Sequence, residues 1–343
     1  MKSFRYSVGP WNIHTGMDPF GPPVRKEVPF EHKLARLKEI GFDAIQLHDD
    51  DAIPNVNDFE GSVLRSKAKE LKQQLRNVGL VPEFIAPRLW EDERTRDGAY
   101  TANSQQLRNY AKERSLKALE IAEELGTNNI VLWLAREGTF VPESKCGVRA
   151  VEYLVEAINY MLEANKNIRI LIEPKPNEPV DKSFIPTAGH ALALSYLTSA
   201  PDRVGVLIES AHSLLAGLDP ADDMTFALAH NKLWGVHLND QNGLKFDQDR
   251  SFGSVNLRQA FNQVRVLLDH QYGQEGQFVG LDVKALRTQN DDLAYKHLSN
   301  SLFVVERLVQ KAKSLQTEHI SARQEDTDYE ELDRLIVDHL LGS

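Results

Sequence analysis

Eight short, β-rich apolar runs recur along this chain with longer amphipathic stretches between them, and that alternation limits the fold more than any other feature. The runs are Phe4–Val8, Ala44–His48, Val81–Ala86, Asn129–Leu134, Ile168–Lys175, Val204–Glu209, Leu233–Asn239 and Phe278–Lys284. Strand-like and helix-like periodicities taking turns in this way read as repeated β/α units. The helical stretches are Leu64–Val78, Asn103–Leu125, Val148–Ala164, Thr187–Thr198, Ser254–His270 and Asp291–Leu315; Gly126 closes the second with a C-terminal stop signal. Eight such units favour a closed parallel (β/α)₈ barrel. An open doubly wound sheet is the alternative, but it usually carries a glycine-rich turn after its first strand, and Gly9-Pro10-Trp11 is not one.

No low-complexity linker divides the barrel region, which we assign to residues 1–316. Beyond Gln316 the composition turns polar and charged. Leu332, Leu335, Ile336 and Leu340 then recur at helical spacing. Residues 317–343 therefore read as a helical C-terminal extension whose apolar stripe needs a surface, on its own barrel or on a neighbouring subunit.

Composition narrows the function classes. The formal net charge is -10, which opposes binding to a phosphate backbone. A single cysteine, Cys146, rules out an intramolecular disulfide. The first residues lack the apolar run of a secretory signal, and no stretch reaches the length that spans a bilayer. The expected location is the cytoplasm.

Polar residues collect at the C-terminal ends of the runs, and in a barrel these ends form the active face. The second run ends in His48-Asp49-Asp50-Asp51 and the fifth in Glu173-Pro174-Lys175. The sixth ends in Glu209-Ser210-Ala211-His212. The seventh carries His237-Leu238-Asn239-Asp240, with Asp247-Gln248-Asp249 after it, and the eighth leads into Asp282-Val283-Lys284. Any one of these acids is more often a helix cap or a solvated turn residue. Together, the fifth to eighth runs bring five acids (Glu173, Glu209, Asp247, Asp249 and Asp282) and two histidines (His212 and His237) to one mouth, and such a cluster repels itself unless cations neutralise it. Oxygen donors with a little imidazole suit Mg²⁺, Mn²⁺ or Co²⁺. With no cysteine among them, a thiolate zinc site is excluded.

Three longer segments carry a resemblance to the xylose isomerase family. They are His48-Asp49-Asp50-Asp51-Ala52-Ile53-Pro54, Glu173-Pro174-Lys175-Pro176-Asn177-Glu178-Pro179, and Gln241-Asn242-Gly243-Leu244-Lys245-Phe246-Asp247-Gln248-Asp249. Asp18-Pro19-Phe20-Gly21, Trp133-Leu134-Ala135-Arg136-Glu137-Gly138 and the tail Asp338-His339-Leu340-Leu341-Gly342 add to it. The matching segments run in order along almost the whole chain. The resemblance implies an aldose–ketose isomerase that converts D-xylose to D-xylulose, or D-glucose to D-fructose, by metal-assisted ring opening and a 1,2-hydride shift.

The resemblance also implies roles for single residues. Two divalent ions would bind per subunit. Glu173, Glu209, His237 and Asp282 would hold the first; Glu209 would bridge to the second, held also by His212, Asp247 and Asp249. Lys175 would donate to the substrate's O1. His48, oriented by Asp51, would help open the sugar ring. Trp11, Trp90 and Trp133 would wall the pocket, and Phe20 would reach into the site of a neighbouring subunit in a homotetramer or homodimer. On residue type alone, the three tryptophans could equally be core residues. Lys284 and Arg287 read as ion-pair partners of the acidic mouth, and Glu178 as a support of the ligands.

The chain departs from the family pattern at several places. His237 stands where an aspartate is usual, which leaves five carboxylates among seven ligands; imidazole shifts the expected preference from Mg²⁺ towards Mn²⁺ or Co²⁺. Ala86 replaces a threonine beside the far end of the sugar, Phe84 a methionine, and Leu207 an asparagine. An isomerase or epimerase of another sugar is therefore the nearest rival. A metal-dependent phosphodiester hydrolase would want a basic groove that an acidic chain does not advertise. A non-catalytic sugar binder would not need to keep His48, Asp51 and Lys175.

Overall fold

The computed structural model describes residues 2–342. Eight parallel strands close into a barrel: β1 (Tyr6–Val8), β2 (Ala44–His48), β3 (Val81–Ala86), β4 (Asn129–Trp133), β5 (Arg169–Glu173), β6 (Val204–Glu209), β7 (Leu233–Leu238) and β8 (Val279–Leu281). Each strand pairs with its neighbours in sequence, and β1 pairs with β8 to close the ring. Eight helices follow the strands in turn: α1 (Phe30–Ile40), α2 (Gly61–Val78), α3 (Gln105–Leu125), α4 (Gly147–Ala164), α5 (Ala188–Tyr196), α6 (Pro220–Ala229), α7 (Leu257–Asp269) and α8 (Lys296–Ser314). This is the (β/α)₈ barrel expected from the alternation. A short antiparallel pair, Gly138–Thr139 with Lys182–Ser183, lies outside the barrel.

Side chains alternate along each strand and so divide the apolar residues into two sets. Ile45, Leu47, Ile130, Leu132, Ile170, Ile172, Val206 and Ile208 belong to one large core with residues of the surrounding helices. Phe84, Ala86, Val131, Leu171 and Leu207 form a second, small cluster, with Trp11 and Trp234 against it. Gly235 leaves the room that these inner residues fill, since a Cβ there would sit 3.0 Å from Leu207 and 3.1 Å from Leu171. Two residues beyond Leu171, Leu207, Val131 and Gly235 come Glu173, Glu209, Trp133 and His237. The register pairs Trp133 with Glu173, Glu209 with His237, and His237 with Gly280. Strand periodicity thus sets an apolar plug with a polar layer above it.

The helices end as their sequences indicate. Gly126 takes a left-handed φ of 92° after α3, a conformation that a Cβ disfavours. Asp219 caps α6 by accepting from the Ala221 N–H. After α8, the extension forms α9 (Thr317–Glu325) and α10 (Tyr329–Leu341). These fold back on the chain's own barrel: Ile320 and Ile336 are buried, Leu332, Leu335 and Leu340 pack against the core, and Lys311 Nζ donates to the His339 carbonyl at 2.6 Å. No helix among the described residues is long and apolar enough to cross a membrane.

Candidate metal centre and sugar pocket

A cavity of about 440 Å³ opens at the C-terminal end of the barrel. Its lining includes Glu173, Glu209, His212, His237, Asp247, Asp249 and Asp282, so all seven expected ligands meet in one place. Their donor atoms fall into three groups, each within 4.8 Å: Glu173–Glu209–His237, Glu209–His212–Asp247 and Glu209–Asp249–Asp282. Glu209, at the end of the wholly buried β6, belongs to all three. Its Oε1 lies 3.3 Å from His212 Nε2 and its Oε2 lies 3.7 Å from His237 Nδ1, so the carboxylate spans the two histidines. Asn239 Nδ2 steadies it with bonds to Glu209 Oε1 at 2.9 Å and Asp249 Oδ1 at 3.2 Å.

Charge is not balanced evenly within this cluster. Burial would raise Glu173, but the adjacent His237 and the hydrogen bond between them, with His212 beyond, hold it down at about 2. Burial pushes Glu209 up to about 7, and the carboxylates of Asp247 and Asp282 add to the rise. Asp249 is driven well up by burial and then by Asp247. Asp247 is held well down against burial by Lys175 and His212. His237 is raised well above its ordinary value, against burial, by Glu173. Without a cation these acids cannot all ionise together, the expected behaviour of crowded carboxylates. His212 Nδ1 and Asp247 Oδ1 are buried with no hydrogen-bond partner in the protein. Hard oxygen donors, imidazole nitrogens and unsatisfied polar atoms of this kind fit a divalent cation.

The remaining expected residues frame the cavity. His48 lies between Trp11 and Trp90, with ring centroids 4.4 Å and 5.1 Å away, and Trp90 meets Trp133 edge-on at 4.4 Å. Trp11 is more than a wall, because its Nε1 donates to Asp282 Oδ1 at 2.9 Å. His48 Nδ1 is 2.7 Å from Asp51 Oδ2. Burial notwithstanding, His48 and Arg88 lower Asp51 to about 2. Lys175 Nζ donates to Asp247 Oδ2 at 2.9 Å and lines an adjoining cavity of about 660 Å³ with Trp133 and Asp247. It sits 5.2 Å from the Trp133 ring centroid and 3.5 Å from Glu178, and Asp247, with Glu209 and Asp249 beyond, keeps it charged against burial. Glu178 supports the cluster by accepting from the Asp247 N–H at 2.9 Å.

Phe20 stays outside its own cavity. The residue is 82% exposed, and its ring meets that of Phe246 edge-on with centroids 5.6 Å apart. Lys284 pairs with Asp249 as expected. Arg287 differs: instead of pairing with the acidic mouth, it donates to the backbone carbonyls of Gly16 and Pro22 and so straps the loop that carries Phe20.

Sequence reasoning missed several residues that hold the site. Arg88, from the loop after β3, donates to Asp50 at 2.8 Å and Asp51 at 2.9 Å and also lies 2.7 Å from His48 Nδ1. Arg114 on α3 grips the fully buried Asp49 with two guanidinium nitrogens. Glu137 accepts from the N–H groups of Ala99, Tyr100 and Thr101 and orders the segment before α3. An arginine in a loop or on a helix reads as a surface residue, and only the fold brings these partners together.

The chain is similar to known proteins over most of its length. Residues 34–270 match the family model described as xylose isomerase-like TIM barrel. A xylose isomerase from Thermus thermophilus is 33% identical over 296 residues, which cover 84% of this chain and 74% of that protein. Two solved structures share the fold at lower identity. A 3-keto-D-glucoside 4-epimerase from E. coli is 16% identical with a TM-score of 0.62, covering 89% of this chain and 99% of its own. A D-tagatose 3-epimerase-like protein is 16% identical with a TM-score of 0.63, covering 90% and 100%.

Proposed function

The chain belongs to the xylose isomerase-like TIM barrel family and is an enzyme of that type, and from this premise we propose that it interconverts an aldose and its ketose at a site holding two divalent ions. D-Xylose to D-xylulose is the leading reaction, with D-glucose to D-fructose beside it. One observation carries the reading: three overlapping ligand groups share Glu209 inside a cavity bordered by His48, Asp51 and three tryptophans, with Lys175 bonded to one of the ligands.

Glu173, Glu209, His237 and Asp282 would hold one ion, and Glu209, His212, Asp247 and Asp249 the other. When bound, the ions supply Lewis-acid stabilisation of negative charge on the sugar oxygens. The protein's own groups do the rest. Asp51 and Arg88 hold the Nδ1 edge of His48, which leaves Nε2 as the nitrogen to take the proton of the anomeric hydroxyl as the ring opens. Lys175, charged and anchored on Asp247, donates to O1 as negative charge grows there. Trp11, Trp90 and Trp133 exclude water from C1 and C2, which favours direct transfer of hydrogen between the two carbons over exchange with solvent. The exposed Phe20 fits an assembly of two or four subunits in which it enters a neighbour's cavity. A cytoplasmic enzyme is consistent with the lone exposed Cys146.

A second reading within the class, an isomerase or epimerase of another sugar, draws support from the apolar cavity wall of Phe84, Ala86 and Val131. These side chains offer a distant sugar hydroxyl no hydrogen bond, so they tolerate a deoxy terminus. The test is a panel of pentoses, hexoses and 6-deoxyhexoses incubated with chelator-stripped enzyme refilled with Mg²⁺, Mn²⁺ or Co²⁺. Ketose formation is measured, together with retention of deuterium placed at C2. Conversion with deuterium retained is expected. No conversion of any sugar with any metal overturns the assignment.

A further inference from the structure

His237 presents its two ring nitrogens to different surroundings. Nδ1 faces the ligand oxygens, 3.2 Å from Glu173 Oε1 and 3.7 Å from Glu209 Oε2. Nε2 faces down into the barrel and lies 3.1 Å from Oε1 of Gln46, a buried residue on β2. An amide oxygen only accepts, so Nε2 must carry a proton to meet it. The Gln46 amide is held in this sense by its other end: Gln46 Nε2 donates to Glu83 Oε2 at 2.9 Å and to Ser7 Oγ at 3.0 Å. Turning the amide over would set its oxygen against the Glu83 carboxyl and lose the N–H donated there. Space is reserved for the pair as well. A Cβ on Gly280 would stand 2.6 Å from Gln46 Nε2 and 2.9 Å from His237 Cδ2, and Gly280 is the residue that pairs with His237 in the β7–β8 ladder.

We infer that Gln46 is a positioning residue that fixes the His237 tautomer and directs Nδ1 to a divalent cation, with Glu83 and Ser7 locking its amide and Gly280 making room for it. The inference rests on reading His237 as a ligand. It gives this chain a means of using an imidazole where a carboxylate would need no such partner. A neutral histidine free to choose its proton would spend part of its time with Nδ1 protonated and unable to bind; a hydrogen bond to the far nitrogen removes that state and raises the basicity of the near one.

The experiment is calorimetric titration of the chelator-stripped full-length protein with Mn²⁺. Gln46→Met keeps the bulk but removes the acceptor and should weaken binding about 10–100-fold. Gln46→Glu combined with Glu83→Gln keeps an acceptor for His237 Nε2 and restores a donor to the other end of residue 46, and should stay within about threefold of the parent. In a His237→Asp background, where no tautomer needs fixing, Gln46→Met should change affinity by less than about twofold. An independent readout is the histidine side-chain ¹H–¹⁵N spectrum of Mg²⁺-loaded protein. It should show an Nε2-protonated His237 in the parent and in the Gln46→Glu, Glu83→Gln double variant, and a lost or exchange-broadened Nε2–H in Gln46→Met. An unchanged affinity in Gln46→Met overturns the inference and leaves the metal site standing. So does an equal loss in both backgrounds, or a His237 protonated on Nδ1. A parent protein that binds no Mn²⁺ overturns the metal reading itself and this inference with it.

Discussion

Replacing Arg114 by methionine is expected to cost the fold about 3–5 kcal/mol, a large share of the ~5–15 kcal/mol by which a domain is normally stable. The magnitude follows from the partner left behind. Asp49 has no solvent exposure and Arg114 retains only 4%. The guanidinium bonds both carboxylate oxygens, through Nε to Oδ2 and through Nη2 to Oδ1 at 2.9 Å. Two backbone donors remain after its removal, the N–H groups of Asp50 and Arg88, each 3.0 Å from Oδ1. Oδ2 then has no partner, and a buried charge with half its bonds missing costs more than a neutral group in the same position. Equilibrium urea unfolding in the presence of chelator measures the loss. Adding Asp49→Asn should recover most of it, because the amide oxygen still serves both backbone donors while the buried charge is gone. The same change should slow the enzyme at temperatures where it remains folded, since Asp49 links His48 to the loop bearing Arg88. A loss under about 1 kcal/mol in R114M, or no recovery in the double variant, would refute the claim that this pair is dry and mutually dependent.

Four further outcomes are expected. Lys175→Met should lower kcat about 10²–10³-fold with a smaller effect on KM, as for other groups that stabilise developing charge; steady-state kinetics decide it. Ala86→Thr adds a hydroxyl to an apolar wall and should shift kcat/KM about tenfold towards sugars with a hydroxyl at the far end, read by direct competition between two substrates. Because imidazole is among the ligands, Mn²⁺ or Co²⁺ should restore stripped enzyme about tenfold better than Mg²⁺, and equal recovery would count against a role for His237 in metal choice. His297 is lowered to about 4, chiefly by burial, so the native state binds fewer protons than the unfolded chain between that value and 6.5. Stability should fall by up to about 3 kcal/mol as pH drops through this window, and His297→Gln should flatten the slope of unfolding free energy against pH.

Much of this structure is legible in the chain because it depends on local rules. Strands β2, β3 and β6 begin and end where the apolar runs do, and Gly126 stops α3 where a left-handed residue is expected. Helix α6 falls outside the amphipathic stretches of the sequence, although Asp219-Pro220 is a start signal; its short, mostly apolar sequence blurs the helical period. The ligand cluster is readable because barrel strands deliver their C-terminal residues to one mouth, so position along a strand stands in for position in space. Contacts made across the barrel are different. Gln46 and His237 are 191 residues apart and Arg114 and Asp49 are 65 apart, and each looks ordinary in its own segment. Arg287 shows the same limit, since its charge suggests an acidic partner while its geometry serves two carbonyls.

The sharing of Glu209 makes the cluster unequal in how it answers to substitution. One residue contributes to every ligand group, so no substitution there erodes a single ion's hold by itself. On the proposed two-ion reading, removing His212 and Asp247, or Glu173 and His237, would strike one half of the centre, whereas removing Glu209 would strike both. Substitution at position 209 would thus be felt throughout the cluster, while the apolar wall of Phe84, Ala86 and Val131 can change without touching a ligand group.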